Sequence, residues 1–473
     1  MSTEADIAIL GAGPAGANAA LAADQAGARV LLVDDQPGPG GQVWRGKSAA
    51  ILEAPPTPES RSGDALRRAI AASGMGHLSD SRVWTIERGD AGWHLHLADG
   101  AGQRRRINTR SLILAPGARE YVQPLPGWTL PGCIGLAGAT AMMKRDLLPA
   151  GKRVVVCGTG PLVFFVASEI RRLGGGVAAI ITANSRSDWL RTLPALASRP
   201  GLAARGALWI ADLITAGVPI LWRHTVTRIA GSERVQSVEV RRVDADWTPV
   251  GAPLFIEADA CCIGHGLVPN SEPASLAGLK PRFDRKAGYW APQAKPDGTT
   301  AIPSLFLCGD GAGIRGAAAA EIHGRLAGLS AAHSLGFGPG PDNALHLRYL
   351  KATRFGAAME TLSHPRPGLA ALTTPETPVC RCENISRLAL ETEIASGAAS
   401  VMAVKSGIRA GMGACGGRFC GTAVARILAA ANGRSESEVP PATARPPLCP
   451  VSIATLAGDF RYEDLPIRKP APL

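Results

Sequence analysis

The chain has 473 residues, of which 46% are hydrophobic and 19% charged, and it carries a formal net charge of +11. This length predicts two or three domains, and no apolar stretch is long enough to span a membrane. The positive charge comes mainly from scattered arginines rather than from a basic patch, which argues against nucleic acid as a partner. The start of the chain lacks the pattern of a signal peptide. We therefore expect a cytoplasmic protein, with peripheral membrane association left open, whose ten cysteines are reduced.

The first predicted elements are a strand, a turn, a helix and a second strand, which is the pattern of a dinucleotide-binding unit. They read ADIAILGAGPAGANAALAADQAGARVLLVDDQ. The glycines of the turn allow, in order, the tight bend, the approach of a pyrophosphate and close packing of the helix on the strand. Asp34 stands 23 residues after Gly11, where an acid binds a ribose hydroxyl group, and Asp35 is the alternative. The predicted cofactor contacts of the turn are Gly11, Gly13, Pro14, Ala15 and Gly16.

Three later segments bear on which cofactor this unit holds. They are GPGGQVWR (38–45), SLILAPGA (111–118) and IPSLFLCGDGAGIRGAAAAEIHGRLAG (302–328). With them the chain resembles the two-dinucleotide-domain flavoprotein reductases, in which a later Gly-Asp pair lies at the ribityl and phosphate groups of FAD. Pro116 replaces the usual threonine, which we expect to matter little because the contacts there come from the backbone. The resemblance implies FAD, and the further contacts that it implies are Gly41, Gln42, Ala115, Gly117, Gly309, Asp310 and Ala318.

A second dinucleotide-binding pattern follows in GKRVVVCGTGPLVFFVASEIRRLGGGVAAIITAN (151–184). Gly158 and Gly160 are in place, but Val163 stands where a third glycine is expected, and no acid follows at the ribose position. Arg186 is a candidate for the 2′-phosphate of NADP. The sequence predicts the fold of this unit and leaves its ligand open between NAD(P)H, another adenine nucleotide and none.

Reactive side chains are scarce before residue 380. No C-x-x-C pair lies in this part of the chain, so dithiol chemistry is not expected. His265 and His323 fall in segments near the expected flavin, and a structural role is the simpler interpretation for each. We therefore predict no catalytic residue in this chain.

The end of the chain carries a C-x-C pair and a C-x4-C pair, 32 residues apart. Thiolates suit both iron–sulfur clusters and zinc, but structural zinc sites favour C-x2–4-C spacing in both halves. The pattern resembles the bacterioferritin-associated-ferredoxin-like [2Fe–2S] module, a small helical fold, and zinc or unliganded thiols are the alternatives. The glycines of GMGACGGRFCG (411–421) would bring backbone N–H groups to the sulfurs. The predicted ligands are Cys380, Cys382, Cys415 and Cys420.

The predicted fold class is α/β, with two Rossmann-like dinucleotide-binding domains, a small helical [2Fe–2S] domain and an extended C-terminal arm. Proline density predicts the arm, and Val451, Ile453 and Leu456 predict that it docks on this chain or on a partner. The predicted boundaries are the first part of the FAD-binding domain at 1–120, the NAD(P)-like domain at 121–250, the second part of the FAD-binding domain at 251–345, a helical connection at 346–372, the [2Fe–2S] domain at 373–432 and the arm at 433–473.

This order of domains resembles the larger or alpha subunits of bacterial dye-linked amine dehydrogenases, a group that includes opine oxidases, D-hydroxyproline dehydrogenase and hydrogen cyanide synthase. The resemblance implies a partner of the D-amino-acid-oxidase type with its own FAD, and in some systems FMN at the interface and a small third subunit. It implies that electrons from a CH–NH group pass through FAD and [2Fe–2S] of this chain to a quinone or dye-type acceptor. The alternatives are an NAD(P)H-dependent ferredoxin-type reductase and a non-enzymatic iron–sulfur sensor or scaffold.

Overall fold

The structure, a computed structural model, describes residues 2–457, and its first unit is an open sheet. The elements are β1 (Ser2–Leu10), α1 (Pro14–Gln25), β2 (Val30–Val33), α2 (Pro58–Ala72), β3 (Gly76–Leu78), β4 (Arg82–Gly89), β5 (Gly92–Ala98), β6 (Arg104–Leu114) and β7 (Ala118–Glu120). The strand order is β3-β2-β1-β6-β5-β4; the first four strands are parallel, and β5 and β4 are antiparallel. The centre of β1 and all of β2 are buried, as strands covered on both faces by other elements require.

The second unit has a five-stranded, fully parallel sheet of order β11-β10-β9-β15-β8. Its elements are β8 (Cys133–Gly135), α3 (Leu136–Asp146), β9 (Val154–Gly158), α4 (Leu162–Arg172), β10 (Val177–Thr182), α5 (Arg186–Leu196), α6 (Pro200–Thr215), β11 (Ile220–Trp222), β12 (His224–Ala230), β13 (Ser237–Val243), β14 (Pro249–Glu257) and β15 (Ala260–Gly264). β12, β13 and β14 form a separate antiparallel sheet.

The chain then returns to the first sheet. The returning elements are β16 (Leu267–Pro269), α7 (Glu272–Leu276), β17 (Pro281–Asp284), β18 (Tyr289–Pro292), β19 (Leu305–Leu307) and α8 (Ala317–Ser334). β19 pairs in parallel with the end of β6, and α8 crosses α1 at close range. Gly324 and Gly328 allow this crossing, because a Cβ there would lie 1.9 Å from the Ala15 carbonyl oxygen and 2.2 Å from that of Ala19.

A long helix leads to the C-terminal module. The remaining elements are α9 (Asn343–Ser363), β20 (Pro378–Cys380), β21 (Ile385–Ser386), α10 (Arg387–Ala395), α11 (Val401–Ile408), α12 (Gly421–Ala431) and α13 (Ile453–Ala457). The apolar core of the module includes Val379, Leu390 and Leu428, and it is continuous with Tyr121 and Tyr289 of the first unit. The module is therefore packed onto the first unit.

The described part of the arm, up to residue 457, lies along the first unit. The Leu448 N–H donates to the Trp84 carbonyl at 2.8 Å, and the Thr455 hydroxyl donates to the Gly102 carbonyl at 3.2 Å. Ile453 is 84% exposed and Leu456 is 47% exposed, so these two apolar side chains do not make the contact that the sequence predicts for them. Backbone and hydroxyl groups hold the arm instead, and residues 458–473 of the predicted arm lie outside the described part of the chain.

The α/β fold class with two Rossmann-like units and a small module of helices is confirmed. Within residues 2–457, no helix has the length and apolar character needed to cross a bilayer.

Candidate functional sites: a flavin cleft and a four-cysteine centre

The glycine-rich turn between β1 and α1 has no room for side chains at two positions. Gly11 has a φ of +102°, and a Cβ there would lie 2.3 Å from the carbonyl oxygen of Ala115. A Cβ on Gly16 would lie 1.8 Å from the Gly11 carbonyl oxygen. α1 begins at Pro14 with no side-chain cap, which leaves its first N–H groups open to an anion. These features fit the phosphates of the ADP part of FAD.

Asp34 supports this turn from below. Its Oδ2 accepts a hydrogen bond from the Ala12 N–H, and its Oδ1 accepts one from the Gln36 N–H at 2.7 Å. Burial raises the pKa of Asp34 to about 6. Since backbone donors use both oxygens, we propose the exposed carboxylate of Asp35 as the ribose acceptor.

Asp35→Ala is expected to weaken FAD binding roughly tenfold, because a hydrogen bond to a charged group contributes about 1.5–3 kcal/mol. Titration of the apoprotein with FAD measures the change. Asp90→Ala, at an exposed carboxylate between β4 and β5, is the matched control. An unchanged affinity in Asp35→Ala would return the ribose contact to Asp34.

The segment 38–45 folds over the glycine-rich turn. Gly41 has a φ of +57°, and a Cβ there would lie 2.8 Å from the Cα of Gly13. Gln42 is exposed, and its Oε1 accepts a hydrogen bond from Arg45 at 2.8 Å. The structure therefore brings Gly41 to the first glycine motif and leaves Gln42 at the surface.

The residues after β6 touch both glycine motifs. The carbonyl of Ala115 packs on Gly11, and the ring of Pro116 packs on Gly311. Gly117 has a φ of +66°, and its carbonyl accepts a hydrogen bond from the Asn270 N–H at 3.0 Å. This strand end lies between the two segments that the resemblance assigns to FAD.

Asp310 shapes the loop that leads into α8. Its Oδ1 accepts hydrogen bonds from the N–H groups of Arg315 at 2.8 Å and Gly316 at 3.0 Å, and burial raises its pKa. Its Oδ2 makes no protein hydrogen bond among residues 2–457, so it fits a hydroxyl group of the ribityl chain. Gly309, at a φ of +69°, packs against α1, and Ala318 lies in the first turn of α8.

A cavity of about 520 Å³ lies between the two dinucleotide folds, α9 and α12. Trp44 and Phe165 are among its apolar walls, and the first turn of α8 faces into it. This is the place where the resemblance puts the flavin ring. The polar side chains that bear on its chemistry are Glu120, Tyr121, His265, Arg315, Glu360 and Arg426.

Sequence reasoning missed three of these polar residues. The Oε1 of Glu120 accepts a hydrogen bond from the Ala137 N–H at 2.9 Å, and burial raises the pKa of Glu120 to about 8. Arg426 lies 4.8 Å above the ring centre of Tyr121. Glu360 reaches the cavity from α9. No local pattern marks these residues, because long-range packing brings each to the cavity.

Both histidines have structural contacts. The Nδ1 of His265 accepts a hydrogen bond from the Gln123 N–H at 3.0 Å, and burial lowers its pKa to about 3. The Nδ1 of His323 accepts one from the Gly309 N–H at 3.2 Å, and burial lowers its pKa to about 4. Each ring is therefore neutral, and neither is placed as a general base.

The second glycine turn is covered by the end of α9. The Gly160 N–H donates to Asn184 at 2.9 Å, and the Thr159 hydroxyl donates to the Ser363 carbonyl at 2.9 Å. The Asn184 side chain donates to the Leu362 carbonyl, also at 2.9 Å. A Cβ on Gly160 would lie 2.0 Å from the Ser363 hydroxyl oxygen. The C-terminal carbonyls of α9, at the negative end of its dipole, thus lie where a pyrophosphate would approach.

The four predicted cysteines come together as two pairs. The sulfurs of Cys382 and Cys415 are 3.8 Å apart, and Cys380 and Cys420 form a second, hydrogen-bonded pair. A tetrahedral metal with thiolate bonds of about 2.3 Å holds two sulfurs about 3.8 Å apart. Each pair therefore fits one metal ion, with one cysteine from each half of the sequence pattern.

The two pairs differ in exposure. Cys380 and Cys420 are buried, whereas Cys382 is exposed and Cys415 is partly exposed. The Cys420 thiol, and after it backbone N–H groups that include that of Gly411, lower the pKa of Cys380 to about 5, which favours the thiolate. Among residues 2–457, no three His, Cys, Asp or Glu side chains converge on one ion. Two pairs of sulfurs fit a two-iron cluster better than a single zinc ion.

The flavin cleft and the cysteine centre define an oxidoreductase that contains a flavin and an iron–sulfur cluster. The chain belongs to the pyridine nucleotide-disulphide oxidoreductase family, whose model matches residues 5–334, and a BFD-like [2Fe-2S] binding domain matches residues 378–430. These matches confirm FAD and a [2Fe–2S] cluster as the cofactors.

Relatives match along nearly the whole chain. The opine oxidase of Agrobacterium tumefaciens (strain Ach5) has an A-type subunit that is 32% identical over 468 residues, which are 96% of this chain and 91% of the relative. Hydrogen cyanide synthase subunit HcnB from Pseudomonas aeruginosa is 30% identical over 87% of this chain and 90% of the relative. The crystal structure of L-proline dehydrogenase from P. horikoshii shares the fold, with a TM-score of 0.72 and 21% identity over 97% of this chain and 80% of that chain. The resemblance of the sequence to the A-type subunits of opine oxidases is confirmed.

Proposed function

We propose that this chain is the electron-transfer subunit of a cytoplasmic amine or opine dehydrogenase with several subunits. A partner of the D-amino-acid-oxidase type oxidises the CH–NH group of the substrate, and the electrons pass through FAD and [2Fe–2S] of this chain to a quinone or dye-type acceptor. The relatives from opine oxidases support an opine or a related imino acid as the substrate of the whole enzyme. Because these relatives are named as single subunits, they also support the presence of partner subunits.

The observation that carries this proposal is the link between the cavity and the cluster site. α12 follows directly after Cys420, and Arg426 on the same helix lines the cavity. At 1.5 Å per residue, six residues of helix separate the two positions by about 9 Å. FAD, when bound, accepts two electrons and releases them singly, so it can join two-electron substrate chemistry to a one-electron cluster.

The residues of this chain bind, orient and enclose rather than attack a substrate. The glycine turn and the start of α8 would hold the phosphates and the ring, and Asp310 would hold the ribityl chain. The cysteine pairs would hold the two irons, with backbone N–H groups at the sulfur of Cys380. We assign no general base for substrate oxidation to this chain.

The covered second glycine turn opposes the alternative of an NAD(P)H-dependent reductase. The Gly160 N–H, which would face a pyrophosphate, is already bonded to Asn184, and the end of α9 lies over the turn. Arg186, the candidate for a 2′-phosphate, is exposed at the start of α5. Electrons that enter from a partner protein make this second site unnecessary.

NADH and NADPH are expected to leave the flavin oxidised when each is mixed with the anaerobic holoprotein, because α9 covers the second glycine turn. Absorbance at the visible flavin band measures this, and dithionite added to the same sample should bleach the band as a control. Prompt bleaching by either nucleotide would establish the reductase alternative and overturn the proposed relay.

A further inference from the structure

Glu360 lies in the flavin cavity, although it belongs to neither matched region. It is on α9, which joins the flavin unit, matched over 5–334, to the cluster module, matched over 378–430. Gly356, about one turn earlier, lets α9 approach the flavin unit, because a Cβ there would lie 2.1 Å from the Arg315 carbonyl oxygen. This contact brings Glu360 to the loop that precedes α8.

Two donors hold the carboxyl group of Glu360. The Tyr289 hydroxyl donates to Oε1, and the Arg315 guanidinium donates to Oε2. The Tyr289 oxygen itself accepts a hydrogen bond from the Ile314 N–H at 2.9 Å, which directs the tyrosine proton at the carboxylate. The Glu360 side chain is 9% exposed and lines the cavity. It is thus an oriented carboxylate in the chamber expected to hold the flavin ring.

The surroundings place the proton affinity of Glu360 near neutrality. Burial raises the pKa of Glu360 to about 7, although the Arg315 charge and the Tyr289 hydrogen bond act in the opposite direction. The titratable and charged groups around it are Asp284 of β17, Tyr289 of β18, Arg315 before α8, Glu321 of α8, His364 at the end of α9 and Arg426 of α12. Burial lowers the pKa of His364 to about 4, so this ring adds no charge at neutral pH.

We propose that Glu360 accepts a proton released when the flavin is oxidised by the cluster. This inference rests on the proposed function. Oxidation of a two-electron-reduced flavin in two single-electron steps yields two electrons, which the cluster accepts one at a time, and two protons, which it does not accept. One proton passes to a carboxylate oxygen of Glu360, forms a COOH group there and then leaves to water. The other proton passes directly to water in the cavity.

The test compares the wild-type holoprotein with Glu360→Gln, which can still accept both hydrogen bonds but cannot take up a proton. Infrared spectra of the resting protein across pH are expected to show a carboxylic-acid carbonyl band that titrates near neutral pH and is missing in the variant. After rapid photoreduction of the flavin, the rate of electron transfer to the cluster should show the same inflection. In Glu360→Gln this rate should be roughly 100-fold lower and without the inflection. A pH profile that Glu360→Gln leaves unchanged overturns the inference.

Two further variants keep the test decisive. Tyr289→Phe removes a donor to the ionised carboxylate, which raises the pKa of Glu360, so the inflection should move to higher pH. If Glu360→Gln does not fold, an unmoved inflection in Tyr289→Phe overturns the inference. Glu272→Gln, at a carboxylate paired with Arg119 at 2.8 Å and outside the cavity, should leave both readouts unchanged.

The outcomes also separate this inference from the proposed function. If the wild-type cluster does not oxidise the flavin at all, the relay is wrong and the proton uptake falls with it. If the relay works and the inflection persists in Glu360→Gln, only the assignment of Glu360 is wrong.

Discussion

Cys380→Ser abolishes the iron–sulfur cluster and leaves FAD bound: this is the largest chemical effect that we expect of a single substitution. Cys380 is buried, pairs with Cys420 and receives backbone N–H groups at its sulfur, so an alkoxide cannot replace it at the same geometry. Absorbance beyond the flavin bands should disappear. Electron delivery to a one-electron dye should fall more than about 100-fold, since loss of supporting contacts alone costs 10–100-fold at metal sites.

The matched control for this experiment is Cys133→Ser. Cys133 is about as exposed as the ligand Cys415, but it lies in β8, far along the chain from the cysteine module. Burial raises the pKa of its thiol to about 12, so it is a neutral thiol rather than a ligand. A visible spectrum that stays intact in Cys380→Ser would show that the four cysteines do not hold a cluster.

Gly11→Ala is expected to remove FAD binding and to destabilise the first unit. A methyl group there would lie 2.3 Å from the Ala115 carbonyl oxygen, and the φ of +102° is unfavourable for any residue with a side chain. Backbone strain and overpacking each cost about 1–3 kcal/mol, so the free energy of unfolding should fall by about 3 kcal/mol or more. Flavin content after purification and denaturant unfolding measure the two effects.

Gly27→Ala separates strain from collision. Gly27 has a φ of +95°, but no atom lies within 4 Å of the position that a Cβ would take. This variant should keep its FAD and lose only about 1 kcal/mol of stability. If Gly11→Ala behaves like Gly27→Ala, the close approach to Ala115 is not what the glycine is needed for.

Spacing along the chain predicted the parts of this protein that depend on neighbouring residues. The glycine turn, the Gly-Asp loop and the cysteine pattern each lie within one turn or one small module, so residue type and spacing fix their local geometry. Asp34 shows the limit of such reasoning: its position at the end of β2 was right for a ribose contact, but its oxygens accept backbone N–H groups instead. The orientation of one side chain within a buried turn depends on which donors are unsatisfied there.

The features that the sequence did not reveal depend on contacts between distant segments. α9 looked like a simple connection, yet it covers the second glycine turn with Ser363 and brings Glu360 into the cavity. Arg426 joins the cavity only because α12 packs on the first unit. Likewise, Ile453 and Leu456 resembled docking residues, and hydrogen bonds dock the arm in their place. Hydrophobic pattern predicts which faces are apolar, not which partners they meet.

The continuous apolar core between the cysteine module and the first unit has a kinetic consequence. Side chains such as Val379 and Tyr121 belong to one packed cluster, so the module cannot swing away without exposing apolar surface to water. Many redox proteins carry a cofactor on a tethered domain that must travel between donor and acceptor, and their rates fall as the solvent thickens. Here the distance between flavin and cluster is set by packing, so electron transfer inside this chain should be insensitive to added glycerol or sucrose. Any dependence of turnover on viscosity then belongs to encounters with the partner or with the acceptor.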